Sequence, residues 1–68
     1  MTREEIMVRV AASLLAANED ISPSYIMNFI GESNAKYVSA VHHPKFIAKQ
    51  SAMYTDALLA EMNAAKGL

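Results

Sequence analysis

The sequence lacks cysteine altogether, and it contains only two glycines and two prolines. Without cysteine, disulfide bonds and thiolate metal sites are excluded. A chain of 68 residues buries only about 60% of the surface that it exposes when unfolded, so natural proteins of this length usually add a disulfide, a metal or an oligomeric partner. The sequence therefore favours very tight packing or association with another chain as the source of its stability.

The chain also lacks a strong excess of either charge and any long hydrophobic run. Its formal net charge is −1, whereas a general nucleic-acid-coating protein needs a large positive excess. The longest nearly unbroken apolar stretch, residues 10–17, is far shorter than the roughly 20 residues that span a bilayer. The N-terminal segment is mixed in charge and does not resemble a secretion signal. We therefore expect a cytoplasmic protein with no membrane association.

The sequence is rich in apolar residues. They make up 53% of the chain, against a usual ~45–50%. Much of the excess is alanine, which is a strong helix former and is tolerated on surfaces. A small protein cannot hide all of this apolar material alone, so part of it is expected to meet a partner.

Helix-capping signals predict one all-α domain, residues 1–68, with four helices. Thr2 and Glu5 have the spacing of a capping box. Ser22 followed by Pro23 is typical of a helix start. The predicted helices span residues 3–18, 23–30, 34–42 and 44–66, so that three short helices precede one long C-terminal helix.

Glycine and proline set the boundaries in the second half of the chain. Gly31 suits the left-handed position that follows a helix. A continuous helix through Gly31 is the alternative, at a cost of about 1 kcal/mol. Pro44 disfavours a helical conformation of His43, so the third helix is expected to end there and the fourth to begin. Gly67 closes the last helix.

The last predicted helix is the most informative element, because its apolar residues form an arc of nearly 180°. A helix that packs only on its own domain needs an arc of somewhat over 100°. The residues divide into two stripes. One stripe holds Phe46, Met53, Ala57, Ala60 and Ala64, and the other holds Ile47, Tyr54, Leu58, Met62 and Ala65. Gln50 and Glu61 lie between the stripes.

Three short helices are sufficient to cover only one of these stripes. We therefore expect the second stripe to meet a copy of itself across a two-fold axis, the commonest symmetry of small oligomers. Gln50 and Glu61 would then fix the register, as buried polar residues do in coiled coils. The alternative is a last helix that is simply central, flanked by the first and third helices. The predicted self-association interface consists of Ile47, Gln50, Tyr54, Leu58, Glu61, Met62 and Ala65.

A second possible function is DNA binding through residues 22–45. This segment has the outline of a helix-turn-helix, with a short helix, a turn at Gly31 and a second helix. Residues 34–50 contain three lysines and no acidic residue. The segment holds no arginine, however, and specific DNA-binding proteins usually bring more of it. The candidate nucleic-acid contacts are Asn34, Lys36, Ser39, His42, Lys45 and Lys49.

Signals for metal binding or catalysis are weak. His42 and His43 are adjacent and point ~100° apart on a helix, so they do not easily chelate one ion. A set such as Ser39, His42 and Asp56 arises by chance in a chain of this length, and no glycine-rich phosphate loop or cysteine nucleophile is present. We expect no catalytic residue, no metal, no cofactor and no enzymatic activity.

The sequence thus predicts a small non-enzymatic regulatory or adaptor protein that acts through protein–protein contacts. It is expected to self-associate through its C-terminal helix and to have a protein partner whose identity the residues do not give. Cysteine-free, single-domain chains of this kind are common among bacterial and bacteriophage accessory proteins, which is an analogy at the level of the fold.

Overall fold

The computed structural model of the chain describes residues 2–66, with the side chain of Lys66 excepted. Within these residues the regular secondary structure consists of three helices, without strands. The all-α prediction is confirmed, whereas the prediction of four helices is wrong. The predicted stop at Gly67 lies outside the described residues. The helices are α1 (Arg3–Ala17), α2 (Pro23–Phe29) and α3 (Ser39–Lys66).

The start of α1 has the capping box that the sequence predicts. The Thr2 hydroxyl accepts a hydrogen bond from the Glu5 backbone N–H at 3.2 Å, and the Thr2 backbone N–H donates to the Glu5 carboxylate at 3.1 Å. At the other end, the Asn18 side chain donates to the Leu14 carbonyl at 2.9 Å. Both ends of the helix thereby satisfy backbone groups that have no partner inside it.

Side-chain and glycine caps also define α2. The Ser22 hydroxyl accepts from the Tyr25 N–H at 3.2 Å, and Pro23 occupies the first helical turn. After the helix, Gly31 adopts φ +76°, and the Glu32 N–H donates to the Met27 carbonyl at 2.9 Å. This left-handed ending is the break predicted at Gly31, and it prevents α2 from continuing.

The predicted helix over residues 34–42 is absent, and so is the predicted break at Pro44. Instead α3 begins at Ser39 and continues through Pro44. Proline in a helix interior normally costs about 3 kcal/mol, because it removes a hydrogen bond and crowds the preceding turn. Here His42 is buried before the proline, and Phe46 and Ile47 are buried after it. Packing on both sides of Pro44 therefore holds the two parts in one helix.

The buried core lies at the N-terminal part of α3. Phe46 is its centre, and the rings of Tyr25 and Phe29 contact it edge to face, with centroids 5.9 and 5.3 Å away. Such edge-to-face pairs are favoured by the aromatic quadrupole. The buried apolar residues are Ile26, Met27, Ile30, Phe46 and Ile47. Since three of these belong to α2 or directly follow it, the core is essentially α2 packed on the start of α3.

The first helix runs antiparallel to α3. Arg3, at its start, pairs with Asp56 at 2.8 Å. Beyond its end, the Asn18 carbonyl lies 3.3 Å from Nε2 of His43. The 15 residues of α1 therefore cover about 22 Å of α3, whose own 28 residues extend about 42 Å. The end of α3 projects beyond both shorter helices, and the molecule measures 46 × 19 × 17 Å.

Small polar residues line the side of α3 that the sequence did not mark as buried. Ser51 is buried and its hydroxyl donates to the Ile47 carbonyl at 2.6 Å. Thr55 is 0% exposed, and its hydroxyl has no hydrogen-bond partner among residues 2–66. A buried hydroxyl without a partner loses its hydration and gains nothing in return.

We predict that Thr55→Val stabilises the protein. Valine keeps the shape of threonine and removes the unpartnered hydroxyl, so the free energy of unfolding should rise by about 1 kcal/mol. For a domain of this size that corresponds to an increase in Tm of about 4–8 °C in thermal unfolding at fixed protein concentration. Thr55→Ser keeps the hydroxyl and loses a methyl group, so it should lower the Tm. A valine variant that is less stable than wild type would show that the hydroxyl is hydrogen-bonded.

Candidate protein-interaction surface

An exposed, largely apolar surface lies on the C-terminal half of α3, and we call it the open face. Its four large apolar side chains are each 45–49% exposed, although residues of this kind are usually buried. Apart from the Glu61 carboxylate and the Tyr54 hydroxyl, the open face is apolar. The open face consists of Met53, Tyr54, Ala57, Leu58, Glu61, Met62 and Ala65.

The open face contains five of the seven residues predicted for self-association. Tyr54, Leu58 and Met62 lie on one side of α3 and are accessible, as are Glu61 and Ala65. Their predicted stripe is therefore uncovered by the chain's own helices at this end of α3.

Ile47 and Gln50 do not belong to this surface. They are 8% and 6% exposed, because they lie in the part of α3 that the chain's own core covers. The chain's own core therefore occupies the two residues that the sequence predicted as interface. Met53 and Ala57, which the sequence assigned to the other stripe, are exposed beside Tyr54 and belong to the open face.

The limited lengths of α1 and α2 explain why this face is open. The seven residues of α2 pack around Phe46 and end there. The first helix begins at Arg3, opposite Asp56, so it contributes no residues beyond that level of α3. Residues 57–65 therefore continue the helix with most of their side chains exposed.

A second exposed apolar region lies on α1. Val8 and Leu15 are seven residues apart, which places them on the same side of the helix, and both are more than half exposed. Beside Val8 a shallow groove of about 200 Å³ runs between the two long helices. The groove is lined by Met7, Val8, Ala11, Ala48 and Ser51.

The candidate nucleic-acid contacts do not form one free basic surface. The Lys45 ammonium is hydrogen-bonded to the Glu32 carboxylate, and His42 is buried. Asn34, Lys36, Ser39 and Lys49 are exposed. In addition, residues 30–38 separate α2 from α3, whereas a helix-turn-helix has a turn of about 3–4 residues. Neither the charge nor the connection resembles that motif.

His42 has a structural role at the start of α3. Its Nδ1 accepts a hydrogen bond from the Val38 N–H at 2.8 Å, and its ring stacks on Tyr37 with centroids 5.9 Å apart. Its Nε2 lies 3.7 Å from the Glu32 carboxylate. We call Glu32, Tyr37, His42 and Lys45 the Glu32 cluster. It ties the connection after α2 to the first turns of α3.

The geometry does not assemble the chance triad of Ser39, His42 and Asp56. His42 and Asp56 are 14 residues apart in one continuous helix, so about 21 Å separates them. Asp56 is engaged by Arg3, and the arginine lowers the pKa of that carboxyl through a hydrogen bond and through its charge. Within residues 2–66, no group of three or more His, Asp or Glu side chains is placed to hold a metal ion.

Comparisons of this chain with protein-family models, curated proteins and solved structures returned no match. None of the helices in residues 2–66 combines the length and hydropathy needed to cross a membrane.

The Glu32 cluster predicts a pH dependence of stability. The hydrogen bond from Lys45, supported by the charges of Lys45, His42 and Lys49, lowers the pKa of Glu32 from its ordinary 4.5 although partial burial opposes the shift. The folded chain therefore favours the carboxylate. Its stabilising contribution is present above pH 4.5 and is lost as the pH falls through the lowered pKa of the folded state.

We expect Glu32→Gln to have a lower Tm than wild type at neutral pH, because glutamine cannot form the ion pair with Lys45. The difference in Tm should shrink as thermal unfolding is repeated at pH values falling below 4.5. Glu19→Gln, at an exposed position outside the cluster, is the control and should show a smaller difference at neutral pH. A Glu32→Gln effect that is constant across this pH range would mean that the ion pair does not stabilise the fold.

Proposed function

We propose that this protein is a small, non-enzymatic adaptor or regulatory protein that acts through protein–protein contacts, and that it forms a homodimer through the open face of α3. One observation carries the proposal. The open face lies on the C-terminal half of α3, where neither α1 nor α2 covers it.

The accessible area supports a missing partner. The chain exposes 4872 Å², whereas a compact monomer of 7.4 kDa exposes about 4,200 Å². The excess, roughly 670 Å², is close to the ~800 Å² that each partner buries in a stable interface. The radius of gyration, 14.0 Å, also exceeds the about 11 Å of a compact chain of this length.

The composition of the open face supports a protein partner. Interface centres are enriched in methionine and aromatic residues and depleted of charged ones. The open face contributes two methionines, one tyrosine and one leucine, and its single charged residue is Glu61. Alanines between these side chains allow a second helix to approach closely.

A second copy is the occupant that requires the fewest additional assumptions. A two-fold axis brings the same face of two identical chains together, so a self-complementary apolar stripe is covered on both sides at once. The exposed Val8–Leu15 side of α1 then remains available for a different protein, which is the adaptor part of the proposal. Hydrogen bonds that hold His42 and His43 in place within the fold support a non-enzymatic role.

We predict that the wild-type protein sediments as a dimer of 2 × 7.4 = 14.8 kDa at micromolar concentration. Leu58→Asp should convert it to a monomer, because a carboxylate at the centre of the interface would be desolvated without a partner. Sedimentation equilibrium of both proteins, together with circular dichroism to verify helicity, tests this.

Leu15→Asp is the matched control, since it makes the same change at a similarly exposed leucine on α1. It should leave the dimer intact. A wild-type protein that remains monomeric at all accessible concentrations contradicts the proposal. So does a dimer that Leu15→Asp dissociates and Leu58→Asp does not.

A further inference from the structure

We infer that the two copies pair their α3 helices antiparallel, with the two-fold axis passing between Ala57 and Leu58. This inference rests on the proposed homodimer and adds the sense and register of its helix pair. It follows from the charge on the open face, from the spacing of its two polar side chains, and from the places where α1 and α2 pack.

Charge disfavours a parallel pair. Glu61 lies within the apolar open face and, within residues 2–66, forms neither an ion pair nor a side-chain hydrogen bond. In a parallel two-fold pair every residue of the face meets its own copy, so two Glu61 carboxylates would oppose each other in an apolar interface. Like charges brought together and desolvated oppose association. An antiparallel pair with the proposed axis separates the two carboxylates by about 10 Å along the helices.

The spacing of the polar side chains favours the antiparallel register. Tyr54 precedes Glu61 by seven residues, two helical turns, so both lie on the same side of α3. With the axis midway between them, Tyr54 of each copy lies opposite the partner's Glu61. The tyrosine hydroxyl can donate to that carboxylate, and the bond forms twice by symmetry. Leu58 then meets the partner's Leu58 at the centre.

The packing of the shorter helices supports the same arrangement. The first helix covers α3 from about His43 to Asp56, and α2 lies around Phe46 near the start of α3. Helices that pack directly are about 8–10 Å apart, so a parallel pair would bring both α2 helices together at one end and force α3 helices apart. In the antiparallel register residue 66 reaches the level of the partner's residue 49. On the side of α3 that carries the open face, Gln50 is the first buried residue toward the N-terminus.

Cysteine cross-linking tests the register, because the wild-type chain has no cysteine. Ala57→Cys and Ala65→Cys replace one small residue by another on the open face. In the proposed pair the two copies of residue 57 are offset by about 1.5 Å along the helices and those of residue 65 by about 22 Å. Disulfides require Cα atoms about 4.4–6.8 Å apart. After mild oxidation we therefore expect a covalent dimer from Ala57→Cys and none from Ala65→Cys.

A mixture of Tyr54→Cys and Glu61→Cys chains should cross-link to each other, while Glu61→Cys alone should not. The oligomeric state of every variant is measured by sedimentation before oxidation. If these two substitutions dissociate the dimer, the comparison of the two alanine positions decides the register.

The possible failures are distinguishable. Efficient cross-linking of Ala65→Cys in a dimeric protein means parallel helices, which overturns this inference and leaves the proposed homodimer standing. A monomeric wild type and monomeric variants overturn the proposed function itself. A dimer in which none of these positions cross-links uses another surface, which overturns both.

Discussion

The structure depends on a mismatch in length between α3 and the helices that cover it. The third helix extends about 42 Å, whereas α1 covers about 22 Å of it and α2 packs only around Phe46. The core therefore forms at one end of the molecule. A single projecting helix cannot bury its own apolar side. The mismatch in length therefore leaves few apolar residues buried and leaves apolar area exposed at the other end of the molecule.

Local signals in the sequence were sufficient to predict the ends of the first two helices. The bonds of Thr2 with Glu5, the cap at Ser22 and the left-handed Gly31 each depend on residues close in sequence. Pro44 was misjudged because its effect depends on distant residues. The proline penalty is local, whereas the burial of Phe46 that outweighs it requires α2. Tertiary packing here overrides a conformational preference.

The open face was only partly predictable, for a related reason. Helical periodicity gives the direction in which each side chain of α3 points, but it does not say how far neighbouring helices extend along the axis. Ile47 and Leu58 share a stripe, yet one is buried beside α2 and the other is half exposed. The hydrophobic pattern of the sequence does not predict the burial of Ser51 and Thr55, because both residues are polar. Their small side chains nevertheless allow neighbouring helices to pack closely.

The exposure and the charge of the open face affect the affinity of the proposed dimer. The side chains of the open face are about half exposed, so they are already partly covered by their own helix and gain less from a partner than fully exposed residues would. Glu61 remains hydrated in a single chain and must be desolvated in a dimer, which reduces the net gain. The core around Phe46 does not involve the open face. We therefore expect the proposed dimer to be a reversible pair of folded chains, in contrast to obligate dimers whose chains fold only together.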